Sequence, residues 1–385
     1  MVDLELDAVQ RAFRDEARDW LAANNPREEL PPMDSKEGVE AHREWEKKLF
    51  AAGLAAVHWP AAYGGRGMDP LCTALFFEEY IRAGAPERLN RLGLALAGPT
   101  LIDVGSQEQQ ARWLSRILSC DDLWCQGFSE PSAGSDLASV RTRGEVGESG
   151  ILVNGQKIWT SYSLWADWMF TLVRTDPDAP KHRGLTFVMI DMKDPGVEVR
   201  PIVQINGQRE FGEVFLTDVA VPMENVVGGI GNGWKVATRT LSHERGAGTS
   251  AEIFASALRE VVDMLPAHLR SDPRIREEVG AIHEAIEAYR YMSLRTLSEL
   301  ARHKNPGPQA AMGKLCWSQM QNRIYELGMR VLGPAAELED GADGDQAPPL
   351  FRARYWTSRA ALIYAGTTEI QRNIIAERVL GLPKG

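Results

Sequence analysis

The feature that most restricts the fold is one block of strand-forming sequence, from about Asp121 to Val227, set between two longer stretches of helical apolar spacing. Before the block, Val9, Phe13, Ala17, Trp20 and Leu21 recur at helical intervals, with breaks at Asn25-Pro26, Pro31-Pro32 and Tyr63-Gly64-Gly65-Arg66-Gly67. Within it, Ile151 to Trp159 reads as a hairpin about an Asn154-Gly155 turn, and the runs from Leu185 to Ile190 and from Glu213 to Pro222 are rich in β-formers. From Gly233 helical spacing returns, interrupted by a polar stretch from Glu337 to Pro349 that reads as an exposed loop. Helices on both sides of a single strand block predict an α+β fold and argue against an alternating βαβ parallel sheet. The expected division is a helical domain over residues 1–120, a β domain over 121–227 and helices over 228–385.

At 385 residues and 44% hydrophobic, the chain holds ample material for a core. A formal net charge of -10 argues against nonspecific binding to nucleic acid, which relies on Lys and Arg neutralising phosphates. Cys72, Cys120, Cys125 and Cys316 form no Cys-x-x-Cys pair, so the sequence signals neither a metal site nor a disulfide framework. The acidic start, Met1-Val2-Asp3-Leu4-Glu5, is unlike a secretory signal or transit peptide, and no apolar run approaches the roughly 20 residues that a bilayer requires. These points predict a cytoplasmic protein without membrane insertion.

Two patterns imitate nucleotide-binding motifs. Gly246-Ala247-Gly248-Thr249-Ser250-Ala251 fits a loose dinucleotide fingerprint, but the segment before it reads as helix where a strand is required. Gly307 to Lys314 is one residue too long for a phosphate loop and has no Ser or Thr after the lysine. More weight falls on Phe128-Ser129-Glu130-Pro131-Ser132-Ala133-Gly134-Ser135-Asp136, on Asn154-Gly155-Gln156-Lys157-Ile158-Trp159-Thr160-Ser161, and on Ile363-Tyr364-Ala365-Gly366-Thr367-Thr368-Glu369-Ile370-Gln371-Arg372. Read as residues alone, the first two are turns beside a tryptophan. The third is a helix end at Gly366 followed by a Thr368-x-x-Gln371 capping box.

In this order and spacing the three stretches resemble the acyl-CoA dehydrogenase family, and the likeness runs from Tyr63-Gly64-Gly65 to Leu382-Pro383. The resemblance implies a middle β-barrel or sandwich-like domain, a C-terminal four-helix bundle, an FAD cofactor and an acyl-CoA substrate. Phe128, Ser129, Trp159, Thr160 and Ser161 would line the flavin ring, and Ser135 would touch cofactor or thioester. Gly366, Thr367, Thr368 and Glu369 match flavin-contacting residues of the family, while Tyr364 and Ala365 match the acyl pocket. Arg270 keeps the leading arginine of a motif that helps a neighbouring subunit hold the cofactor's far end. The Phe-Gly that usually follows is absent, and Met329 stands where a glutamine is common.

The last motif differs at one decisive place, because many members carry the catalytic glutamate where this chain has Ala365. Removing the α-proton of an acyl thioester needs a positioned base, and a methyl group is none. In the isovaleryl, long-chain and some bacterial sterol-side-chain branches, the base sits on an earlier helix. Glu244 in Leu241-Ser242-His243-Glu244-Arg245 matches that position. At helical spacing Glu244 falls about 20° from Ala237 and on the side of Leu241, so it is either buried with a partner or held for use. The resemblance makes Glu244 the catalytic base, with Arg245 beside it at the substrate.

The implied reaction is dehydrogenation of an acyl-CoA, with electrons passing to an electron-transfer flavoprotein and the chain assembled as a homotetramer. Two alternatives stay open at this point. One is a noncatalytic or half-active subunit of a heterotetramer; the other is an oxygen-using oxidase or monooxygenase relative.

Overall fold

The computed structural model describes residues 6–247, 250–303, 310–343, 345 and 347–383, and the side chains of 244–247, 303 and 310 lie outside the description. The helices are α1 (Ala8–Asn24), α2 (Lys36–Ala51), α3 (Pro70–Arg82), α4 (Gly98–Val104), α5 (Gln107–Leu118), α6 (Gly233–Ala247), α7 (Ala251–Asp263), α8 (Ala267–Arg270), α9 (Pro273–His303), α10 (Ala310–Leu332), α11 (Phe351–Ala360) and α12 (Thr368–Ile374). Between α5 and α6 run β1 (Trp124–Gly127), β2 (Arg143–Val146), β3 (Gly150–Ser161), β4 (Trp168–Arg174), β5 (Leu185–Asp191), β6 (Val197–Ile202), β7 (Phe211–Pro222) and β8 (Val226–Val227). The fold is thus α+β, with all strands in one block. By packing, the chain forms two compact units that cut across the order of the sequence: one comprises residues 1–25, 69–85 and 245–385, the other 26–68 and 86–244.

In the second unit a sheet runs β6-β7-β3-β2-β4-β5-β8, with β1 parallel to β4. The two-residue period of β4 and β5 sends Phe170, Leu172, Phe187 and Met189 to one face, against Trp113, Ile117, Val236 and Ala237. Met169, Val173, Val188 and Ile190 meet Ile151 and Val153 of β3 and Val214 and Val219 of β7 on the other. Burial on both faces accounts for the nearly unbroken apolar sequence of β5. The expected hairpin at Asn154-Gly155 is not one. β3 runs through these residues, paired with β7, and the register shifts between Val153 and Gly155. Asn154 spends its amide on Asp218, and a Cβ at Gly155 would come within 2.7 Å of Thr142. The turn that joins β2 to β3 lies at Gly147–Gly150, closed by a bond from Gly147 N to Gly150 O of 2.8 Å.

The first unit is built on α7, α9, α10 and α11, whose core joins Phe254, Val261, Ile282, Ile286, Ile324 and Phe351. α3 packs against α7 and α9, and α1 packs against α3. Buried carboxylates staple this joint: Glu79 takes Arg18 at 2.9 Å, and Glu252 takes Arg259 at 2.7 Å and Arg82 at 3.2 Å. The polar stretch from 337 to 349 is tied down by Arg352. Its guanidinium donates to Asp345 at 2.7 Å, to Ala335 O at 2.8 Å and to Asp340. No described helix is long and apolar enough to cross a membrane.

Candidate active site

In the second unit the structure brings together the two stretches Phe128–Asp136 and Lys157–Ser161. Ile158 N donates to Ser129 O at 2.9 Å, which lays the loop after β1 along the end of β3. A second β3 irregularity, between Lys157 and Thr160, sits beside a left-handed Trp159 with φ 57°. Such a backbone is unfavourable for a bulky side chain and marks a place where surrounding structure holds the residue. Tyr162, also left-handed, is the second anchor: its N–H reaches Glu210 O at 2.8 Å and its hydroxyl reaches Glu87 at 3.1 Å. The result is an indole that is 55% exposed and edge-on to Phe211 at 6.0 Å, although Trp45, Trp59, Trp113 and Trp124 are almost wholly buried.

The other residues of these stretches divide by side. Ser129 and Ser161 are half-buried and Ser135 is exposed. Phe128 is buried, edge-on to Phe170 and Phe187, and Thr160 is fully buried with no hydrogen-bond partner for its hydroxyl among the described residues. Sequence reasoning did not single out what lies beneath. Lys157 and Glu130 form a buried ion pair of 2.8 Å, and Glu130 also accepts from Thr142 N, Thr142 Oγ1 and Arg141 N. Burial opposes the charge on Glu130, but the Lys157 ammonium and these hydrogen bonds together keep its pKa below the ordinary carboxylate range.

α6 belongs to the same unit as far as Glu244. Buried Thr240 is bonded to Thr100 of α4 at 2.9 Å, and Asp103 takes Arg239 at 2.7 Å with His243 Nε2 3.1 Å away. The α6 stripe that includes Ala237 and Leu241 packs on the core. Glu244 and Arg245 stand in the helical backbone of α6, and their side chains lie outside the described residues.

In the first unit, α11 ends at Ala360 and the chain turns through Ala365 at φ 53° and Gly366 at φ 85° before α12. Thr367, not Thr368, is the cap of α12, accepting from Ile370 N at 3.2 Å. Gln371 does not complete a capping box; its buried amide donates to Ala365 O at 3.0 Å and so fixes the turn from inside. Thr368 Oγ1 is buried without a partner among the described residues, Glu369 is exposed, and Tyr364 is 44% exposed. Tyr364 leans on Trp317 at 6.1 Å, and the Lys314 ammonium stands over both rings. Arg270, at the end of α8, is exposed and donates through Nε to Leu265 O at 2.9 Å.

Each unit by itself thus offers groups suited to a flavin. One holds an open aromatic face with serine hydroxyls beside it, and the other holds an unpartnered threonine hydroxyl at a helix start. A planar ring with a polar edge fits that donor set.

Comparison with known proteins agrees. Residues 7–121 match the acyl-CoA dehydrogenase N-terminal domain, 125–219 the middle domain and 231–380 the C-terminal domain. The chain belongs to the acyl-CoA dehydrogenase family. It is 41% identical to acyl-CoA dehydrogenase IpdE1 of Mycobacterium tuberculosis and 40% identical to IpdE1 of Mycolicibacterium smegmatis, with 97% of each chain covered in both cases. Its structure is similar to that of the ChsE4-ChsE5 complex from Mycobacterium tuberculosis, with a TM-score of 0.85, 30% identity and 100% of each chain covered. It is also similar to the Tcur3481-Tcur3483 steroid ACAD, with a TM-score of 0.86, 27% identity and 100% of each chain covered. The protein is an FAD-dependent acyl-CoA dehydrogenase.

Proposed function

We propose that the chain removes hydrogen from Cα and Cβ of an acyl-CoA, with Glu244 as the base that takes the α-proton. The observation that carries this reading is that the sequence has alanine at 365 and glutamate at 244. The turn after α11 presents a methyl group on a fixed left-handed backbone, so the carboxylate must come from elsewhere, and α6 bears one at the family's other position. FAD supplies the acceptor for the β-hydride. Phe128, Ser129, Trp159, Thr160 and Ser161 would seat its ring. Gly366, Thr367, Thr368 and Glu369 would meet it from the α12 start, and Arg270 would serve the far end of a neighbour's cofactor. Ser135, Arg245, Tyr364 and Ala365 would face the thioester. The N–H of residue 365 would donate to its carbonyl oxygen, stabilising the enolate that forms as the proton leaves.

Absence of a glutamate at 365 should enlarge that end of the pocket, and Tyr364 would partly refill it. The likeness to a steroid ACAD supports a steroid-derived acyl chain as substrate. An electron-transfer flavoprotein as acceptor, a cytoplasmic setting and the three-domain division at 120 and 227 complete the reading. A homotetramer is the preferred assembly, since closed homo-oligomers are the commoner solution. A mixed assembly is the second reading, favoured by the likeness to a ChsE4-ChsE5 complex.

The test is anaerobic mixing of the purified flavoprotein with straight, branched and steroid-derived acyl-CoAs while flavin absorbance is followed. Bleaching by the steroid thioester, abolished in Glu244→Gln with binding retained, supports the proposal. Bleaching that survives Glu244→Gln refutes the base assignment.

A further inference from the structure

Among the described residues Lys157 is the one lysine in the group of largest fully buried side chains, and the side chain of its partner Glu130 is 4% exposed. An apolar pair of similar volume would fill the space at least as stably, because removing two charges from water offsets most of what their attraction returns. Their placement suggests what the charges do instead. Glu130 directly follows Ser129, and Lys157 directly precedes Ile158 and Trp159. The ion pair and the bond from Ile158 N to Ser129 O are therefore consecutive rungs between the same two segments. Lys157 Nζ also donates to Leu172 O of β4 at 2.8 Å. Glu130 gathers Arg141 N at 2.6 Å and Thr142 N at 3.0 Å, closing the loop that follows Ser129 and carries Ser135. One carboxylate and one ammonium thus lock that loop, β3 and β4 to each other two residues before Trp159 in the chain.

From this we infer that Glu130 and Lys157 are positioning residues for the cofactor: the pair sets the separation between Ser129 and the Trp159–Ser161 segment and so fixes the seat of the flavin ring. The inference rests on the assignment of those residues to the flavin. An internal control exists in the same unit, where Arg88 and Glu46 form another buried pair of 2.8 Å, and Arg88 also donates to Ala55 O at 2.9 Å.

The experiment compares purified holoenzymes of the parent, Lys157→Met, Lys157→Met/Glu130→Gln, Arg88→Met and Trp159→Ala. FAD dissociation is measured by flavin fluorescence on dilution, together with the flavin visible spectrum and the melting temperature. Breaking the pair should weaken FAD binding about 30-fold or more in Lys157→Met. The neutral double variant should recover melting temperature yet stay about tenfold weaker with a shifted flavin spectrum, while Arg88→Met should melt lower and hold FAD within about threefold of the parent. If Lys157→Met does not fold, the double variant decides. Parent-like FAD affinity and spectrum in the double variant would overturn the inference, as would equal losses in Lys157→Met and Arg88→Met. Unchanged FAD binding in Trp159→Ala would instead overturn the flavin-site assignment beneath it.

Discussion

Replacing Trp159 by glycine separates what the indole does for the fold from what it does for the cofactor. A tryptophan offers up to about 250 Å², so at 55% exposure about 140 Å² lies open, and covering it with a flavin at about 25 cal/mol per Å² stabilises the complex by at most about 3.5 kcal/mol. That ceiling corresponds to about two to three powers of ten in FAD affinity. For the fold, the covered remainder of about 110 Å² is worth about 3 kcal/mol, and glycine relieves about 1 to 2 kcal/mol of left-handed backbone cost at φ 57°. Trp159→Gly should therefore melt only slightly lower than the parent while binding FAD about 10²-fold more weakly. Titration of flavin-stripped protein with FAD, read by flavin fluorescence, gives the affinity, and circular dichroism gives the melt. An affinity within about twofold of the parent would refute the assignment of Trp159 to the flavin face.

Glu244→Gln should lower the rate of flavin reduction by about 10² to 10⁴ with acyl-CoA affinity preserved, measured by stopped flow. Introducing Ala365→Glu into that variant should restore part of the rate if both positions face one proton, and no recovery would count against that geometry. Arg352→Met should lower the melting temperature by about 5 to 10 °C and raise protease cleavage between 337 and 349, because it leaves Asp345 uncompensated. On acidification, Glu79, held below its ordinary pKa chiefly by its Arg18 hydrogen bond, and Glu252, where Arg259 and Arg82 outweigh burial, both favour the folded state in their charged forms. Their contribution is complete above the unfolded carboxylate pKa of about 4.3 and is lost as pH falls through the lower folded values, so melting temperatures should fall steeply below about pH 4. A melting temperature constant down to pH 3 would contradict those ion pairs. Light scattering of the chain expressed alone should give a tetramer with one FAD per subunit, and a half-occupied species rescued by a homologue would favour the mixed assembly.

The order helices, sheet, helices was legible because β5 and β7 declare themselves through β-branched and aromatic runs. Other features were not. Asn154-Gly155 has the composition of a turn, and only the close approach of Thr142 and the pairing with Asp218 make it part of a continuous strand. Local rules put the cap at Thr368, yet the left-handed pair Ala365-Gly366 moves the helix start to Thr367 and frees Gln371 to hold the turn. The candidate flavin stretches were visible as motifs, but which of their side chains are open was not. Phe128 and Thr160 turn inward, and Trp159 stays out because of a backbone irregularity that no residue type announces. Lys157 and Glu130 carried no sequence signal of their own, since the burial of Lys157 depends on β4, which is distant in sequence.

The interleaving of the two units has a consequence for biosynthesis. α1 and α3 leave the ribosome early, but the later helices on which α3 packs, α7 and α9, begin only at Ala251 and Pro273. At about 5 to 20 residues per second, the interval between the emergence of Ala85 and that of Ala251 lasts about 10 to 30 s. During that time α3, which buries Leu75, Phe76 and Tyr80 in the finished protein, can reach α1 but neither α7 nor α9. Nascent chains of this protein should therefore pass through a long window in which a chaperone shields the amino-terminal helices, and a stop codon placed before α7 should release a product that aggregates.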